Sequence, residues 1–179
     1  MKRFSVFALL ILASPCLLLA QEKPSSSPVA DALRQSLTRF SKNMTAAAES
    51  MPADKYDYKP TPQQMSYAHL IAHIATSNEF MCSKISGTPE PEHAKISDTD
   101  GKDKLVAAVR ASFDYCSSSL AKVDDSNLSE QLTLFANHQF TKAAAMMILS
   151  GDWFDHYSAQ AMYLRLNGVL PPTAQPRKD

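Results

Sequence analysis

PVADALRQSLTRFSKNMTAAAESM, residues 28–51, sets Leu33, Leu37, Phe40, Met44, Ala47 and Met51 at alternating steps of four and three. That spacing brings all six to one side of a helix and makes a seam of the kind that packs in a bundle. Pro28 follows Ser27 and takes the first helical position, where its missing N–H costs nothing. Pro52 closes the segment.

The same period recurs down the chain. A loop, DKYDYKPTPQQ, holds Pro60 and Pro62 and favours extended backbone. A second helix is expected from Gln63 or Ser66 to Lys84, with Leu70, Ile74, Ser77 and Met81 on its stripe and His69 and His73 beside it. A third is expected over 102–123, with Leu105, Val109, Phe113, Cys116, Leu120 and Val123 on one face. Residues 124–137 read as an irregular connection. The fourth helix starts between Asn137 and Thr141 and runs to Leu166, where Asn167-Gly168 and then Pro171-Pro172 stop it. With four glycines in 179 residues and almost no strand-like alternation, the chain is all-α: a four-helix bundle over 28–170.

The longest connection is SGTPEPEHAKISDTDG, between helices 2 and 3. If it crosses over along the bundle, those helices run parallel. Cys82 and Cys116 then lie at similar depth and can pair. An antiparallel hairpin would hold them about 15 Å apart at 1.5 Å per residue, beyond the reach of a disulfide. The bridge and the crossover therefore stand or fall together, the alternative being two buried thiols.

Residues 1–20 have the form of a secretory signal: Lys2 and Arg3, the apolar run FSVFALLILASPCLLLA, and a small residue, Ala20, at the break. A polar linker, 21–27, follows. The expected location is secreted or periplasmic, the compartments in which a Cys82–Cys116 pair would be oxidised. Lysines and arginines number 18 in the full chain, as do aspartates and glutamates, so no basic excess marks a nucleic-acid partner. No later segment is long enough to span a bilayer. The tail, 171–179, is expected to be disordered.

Helix 4 carries the anomaly. Read as a stripe, Ala145, Ile148, Asp152, His156, Ala159, Tyr163 and Leu166 fall together, with ionisable groups at the centre. A buried carboxylate needs a partner. One remedy is a hydrogen bond between Asp152, His156 and a neighbouring helix. The other is a metal, because side chains four apart on a helix can converge on one ion. His73, in the apolar context LIAHIA, is the candidate third ligand, with His69 one turn before it. Two imidazoles and a carboxylate suit Zn, Ni, Fe or Mn. Tyr157 and Arg165 lie close by in sequence as secondary candidates. His93 and His138 read as solvated.

TPQQMSYAHLIAHIA and DHYSAQAMYLRLNGVLPP resemble the DinB-like superfamily, over nearly the whole mature chain. The resemblance implies a four-helix bundle and, as in many members, a divalent metal. His73 matches the helix-2 ligand, His156 a helix-4 ligand, and Asp152 the position four residues earlier, where the family usually has His. Asp adds a negative charge and shifts preference toward harder ions. Ser158 stands where Gly is frequent. Related bundles include transferases and isomerases that use low-molecular-weight thiols; those thiols are cytosolic, which sits poorly with an exported chain. The expectation is a metal-dependent hydrolase or transferase acting on a small molecule, with a homodimer compatible with the fold. The alternative is a metal-free bundle that binds a ligand or is structural.

Overall fold

The computed structural model describes residues 25–92 and 95–176. The expected signal segment, most of the linker, His93 and the last three residues lie outside the described residues. Four helices form the body: α1 (Pro28–Ser50), α2 (Tyr67–Ser86), α3 (Lys102–Leu120) and α4 (Lys142–Leu166). The stripes read for α1 and α3 are buried along their whole length, from Leu33 to Met51 and from Leu105 to Val123. Each large apolar side chain withdrawn from water there contributes about 1.5–3 kcal/mol.

Local chemistry sets the helix ends. The Ser66 hydroxyl accepts from the His69 amide at 3.1 Å and starts α2; the Thr141 hydroxyl does the same for the Ala144 amide at 3.2 Å and starts α4. Each satisfies one of the orphan donors of a first turn. Gly87 and Gly168 follow α2 and α4 with φ of 72° and 74°, a left-handed turn that glycine adopts without strain. α1 is capped from a distance: the Asp125 carboxylate accepts from the Val29 and Ala30 amides, both at 2.9 Å.

Pairs of contacts give the helix directions. Asn78 meets Ser112 and Cys82 meets Cys116, each pair separated by 34 residues, so α2 and α3 run parallel. Ser36 meets Ser150 and Met44 meets Gln160, so α1 and α4 are parallel too. Arg34 donates to the carbonyls of Leu120 and Val123, while Lys102 donates to those of Glu49 and Met51, so α1 and α3 are antiparallel. The order is up-down-down-up, with residues 87–101 as the crossover between α2 and α3. Cys82 and Cys116 form a disulfide across the parallel pair, with Cα atoms 5.3 Å apart.

Three expectations are corrected. The connection after α3 contains a short antiparallel hairpin, β1 (Gln131–Thr133) with β2 (Gln139–Thr141), in register Leu132 to Phe140. Its turn places Ala136 and Asn137 at φ of 49° and 62°. Strands of three residues are too short for alternation to register as a pattern. Second, part of the expected disordered tail is ordered: Pro172–Ala174 form a 3-10 turn, tied down by a 2.8 Å bond between the hydroxyls of Tyr157 and Thr173.

The third correction is the face of α4. Beyond Lys142 in its first turn, its buried residues are Ala145, Met146, Leu149, Trp153, Tyr157, Gln160, Ala161, Tyr163 and Leu164. Asp152 and His156 flank this stripe, half-buried, rather than forming its centre. The reason is composition: Met147, Phe154, Met162 and Leu166 are exposed, so apolar residues surround the helix and leave no single hydrophobic direction to read.

Candidate functional site

The flank that carries Asp152 and His156 faces α2. α2 and α4 run antiparallel, and the rings of His73 and His156 meet edge to face, with centroids 4.9 Å apart. Asp152 lies one turn before His156, and Ser77, one turn after His73, comes near enough to lower the Asp152 carboxyl. Three of the residues singled out from the sequence are thus brought to one place. His73 is exposed as a whole residue while His156 and Asp152 are half-buried, so the site is a surface-facing seam and not a closed cavity.

The electrostatics follow from that position. Burial raises the Asp152 carboxyl above the usual carboxylate value; the imidazoles of His156 and His73 pull it down, and Asp155 pushes it up again. Although the residue as a whole is exposed, partial desolvation of its ring is the leading cause that lowers His73 below its ordinary 6.5, followed by repulsion from His156, with Asp152 acting the other way. His73 therefore presents a neutral imidazole at pH 7, the form with a free lone pair. On linkage, unfolded His73 takes up a proton before the folded residue does. Its contribution to stability is present above pH 6.5 and falls as the pH drops from there through the folded value. For Asp152 the folded carboxyl keeps its proton longer, so its contribution is present below 3.8 and is lost as pH rises through the folded value. In a metal-free NMR titration the His73 ring should titrate below 6.5, and Asp152→Asn should move it lower still. An upward move on that substitution would show that Asp152 does not act on His73.

The other sequence candidates go elsewhere. His69 is exposed and its Nδ1 lies 3.1 Å from Asp98 Oδ2, which ties α2 to the crossover. Tyr157 turns into the core, within 6.2 Å of the Phe40 ring and bonded to Thr173; the residue after His156 lies about 100° around the helix and cannot share its direction. Arg165 is exposed, donates to the Ala161 carbonyl, and stands nine residues beyond His156, about 14 Å along the axis.

Two clefts reach the imidazole pair. His73, with His69, Lys95 and Asp98, lines one of about 470 Å³ between α2 and the crossover. His156, with Asp155 and Tyr163, lines another of about 380 Å³ between α4 and the segment entering α2. Sequence reasoning missed that Ser77, four residues after His73 on the same face, comes near Asp152. It also missed Asp155, which is next to His156 but was overshadowed by the expected stripe.

Two imidazoles and a carboxylate from facing helices suit a divalent ion by donor type. Among the described residues, no group of three His, Cys, Asp or Glu side chains stands ready in coordinating geometry. Residues of the right kind are gathered without forming such a group.

Residues 36–157 match the family model described as the DinB superfamily. The fold is similar to a DinB-like protein from Bacillus subtilis, with a TM-score of 0.64 and 19% identity over 82% of this chain and 99% of that one. It is similar also to a DinB-like protein from Bacillus cereus, with a TM-score of 0.66 and 14% identity over 79% and 95%. A mycothiol-dependent maleylpyruvate isomerase shares the bundle, with a TM-score of 0.59 and 11% identity over 72% of this chain and 59% of that one. No curated protein matches the sequence.

Proposed function

The chain belongs to the DinB superfamily, and on that premise we propose that it is an exported metal-dependent enzyme acting on a small molecule. Its divalent ion would be held by His73, Asp152 and His156, and its chemistry would be of the hydrolase or transferase type. The observation that carries this reading is the meeting of His73 and His156 at 4.9 Å from two different helices, with Asp152 one turn away. Export rests on the form of residues 1–20.

The chemistry such an ion supplies is Lewis acidity toward a water, a carbonyl or a thiolate. The protein's own residues do the rest. His73 offers a neutral imidazole, Asp152 supplies the negative charge that offsets a dication, and nearby Ser77 favours the ionised form of that carboxylate. The two clefts keep the pair accessible to a substrate while α2 and α4 hold the ligand backbones apart at a fixed spacing. Zn, Ni, Fe and Mn all suit this donor set.

Elemental analysis of the purified protein should find about one ion per chain. Saturating metal should raise the melting temperature: an ion at 100 times its Kd adds about 2.7 kcal/mol, or roughly 5–10 °C for a domain of this size. The His73→Ala, His156→Ala double variant should lose both the ion and the shift. Metal retained by that variant would remove these residues as ligands. Failure of all four metals to bind would favour a second reading, a metal-free bundle that binds a ligand. In that alternative the same residues would form a hydrogen-bonded cluster.

A further inference from the structure

The cleft beside His156 has a chemical character of its own. Asp155 is the only Asp, Glu, Lys or Arg in its lining. It is exposed, and among the described residues no Lys or Arg forms an ion pair with it. Asp152 stands close enough behind to interact with it electrostatically. Beside it, Gln63 and Gln64 bring side-chain amides whose oxygens accept hydrogen bonds.

The rest of the lining is apolar. Met65 and Met162 are 42% and 49% exposed, and Leu70 and Ala159 lie with them. Exposed thioethers on a cleft make an adaptable wall for an alkyl or aryl group. The floor is rigid: the Tyr163 hydroxyl donates to the Met65 carbonyl at 2.7 Å, and the Tyr163 ring packs edge-on against Tyr58 at 6.2 Å. The cleft on the other side of α2 differs, because it contains Lys95.

We propose that the cleft between α4 and the segment entering α2 is the substrate pocket of this site, and that it takes a small amphiphilic amine. The ammonium lies at Asp155 with the glutamine amides, and the apolar stem lies along Met65 and Met162. The volume, about 380 Å³, is at the small end of ligand pockets. A carboxylate or phosphate ester of the same shape is disfavoured there, because it meets the Asp155 carboxylate and no lysine or arginine. This assignment rests on the reading of the His73–His156 pair as the reactive centre, but its test does not use the metal.

Hexylammonium and hexanoate, equal in length and opposite in charge, are titrated into the metal-free protein and followed by methionine-methyl and histidine-ring NMR. Hexylammonium should shift Met65, Met162 and His156 saturably, and hexanoate should not. Asp155→Asn should weaken hexylammonium about fivefold, the size expected of an exposed ion pair, while Lys95→Ala leaves it unchanged. Equal or tighter binding of hexanoate, an Asp155→Asn variant with unaltered affinity, or no saturable shift with either probe would overturn the assignment. Loss of metal binding in the separate experiment leaves these outcomes intact, so the two readings fail independently.

Discussion

Replacing both Cys82 and Cys116 by Ala should lower stability by about 4 kcal/mol. The two residues are 34 apart in sequence and fully buried. Removing a cross-link of that span restores conformational freedom to the unfolded chain, and the loop-closure relation gives about 4 kcal/mol. For a domain of this length the melting temperature should fall by about 10 °C, and the urea midpoint should move in proportion. The bridge closes the crossover, so it restrains the one long connection that lets α2 and α3 run parallel. A change below about 1 kcal/mol would mean that the unfolded chain already holds those segments together without the bond.

Asn78→Leu should cost about 2–3 kcal/mol, because it leaves a buried donor without an acceptor. Trp153 is buried and its indole Nε1 donates to Asn78 Oδ1 at 2.7 Å; Asn78 Nδ2 then donates to the Ser112 hydroxyl at 3.0 Å. One amide thus joins α4, α2 and α3 in the middle of the core. Leu matches its size but offers nothing to the indole. Adding Trp153→Phe removes the orphaned donor, so the double variant should be less destabilised than the sum of the two single variants. Equilibrium urea unfolding of the four proteins measures the coupling; strict additivity would mean that the indole bond contributes nothing.

The bundle was legible because α1 and α3 have clean one-sided stripes, and every residue of those two stripes is buried. The crossover was legible from chain length and two cysteines, since only parallel helices put Cys82 and Cys116 at one depth. α4 was not legible in phase. Its exposed Met147, Phe154 and Met162 balance the buried side, so periodicity could equally centre on Asp152 or on Trp153.

The error had a particular consequence for the site. Asp152 and His156 attracted attention as polar residues in a core position, yet they flank the core. The imidazole of His156 still meets that of His73, because the flank faces α2. Tyr157 and His69 lie near the ligand candidates in sequence and point elsewhere. Closeness in sequence to a ligand says nothing of direction, and one is committed to Thr173 while the other is committed to Asp98. The α4 cleft could not be read at all, since Gln63, Gln64 and Met65 approach Asp155 only through the path of the loop into α2.

The carboxylate that caps α1 has a bearing on the order of events during synthesis. The Val29 and Ala30 amides wait for an acceptor 96 and 95 residues downstream. At ribosomal speeds of 5–20 residues per second, that wait is roughly 5–20 s. Until Asp125 emerges, the first turn of the earliest helix is left to water and free to fray. The amino-terminal end is thus among the last parts of the bundle to be locked, although it is the first to be made.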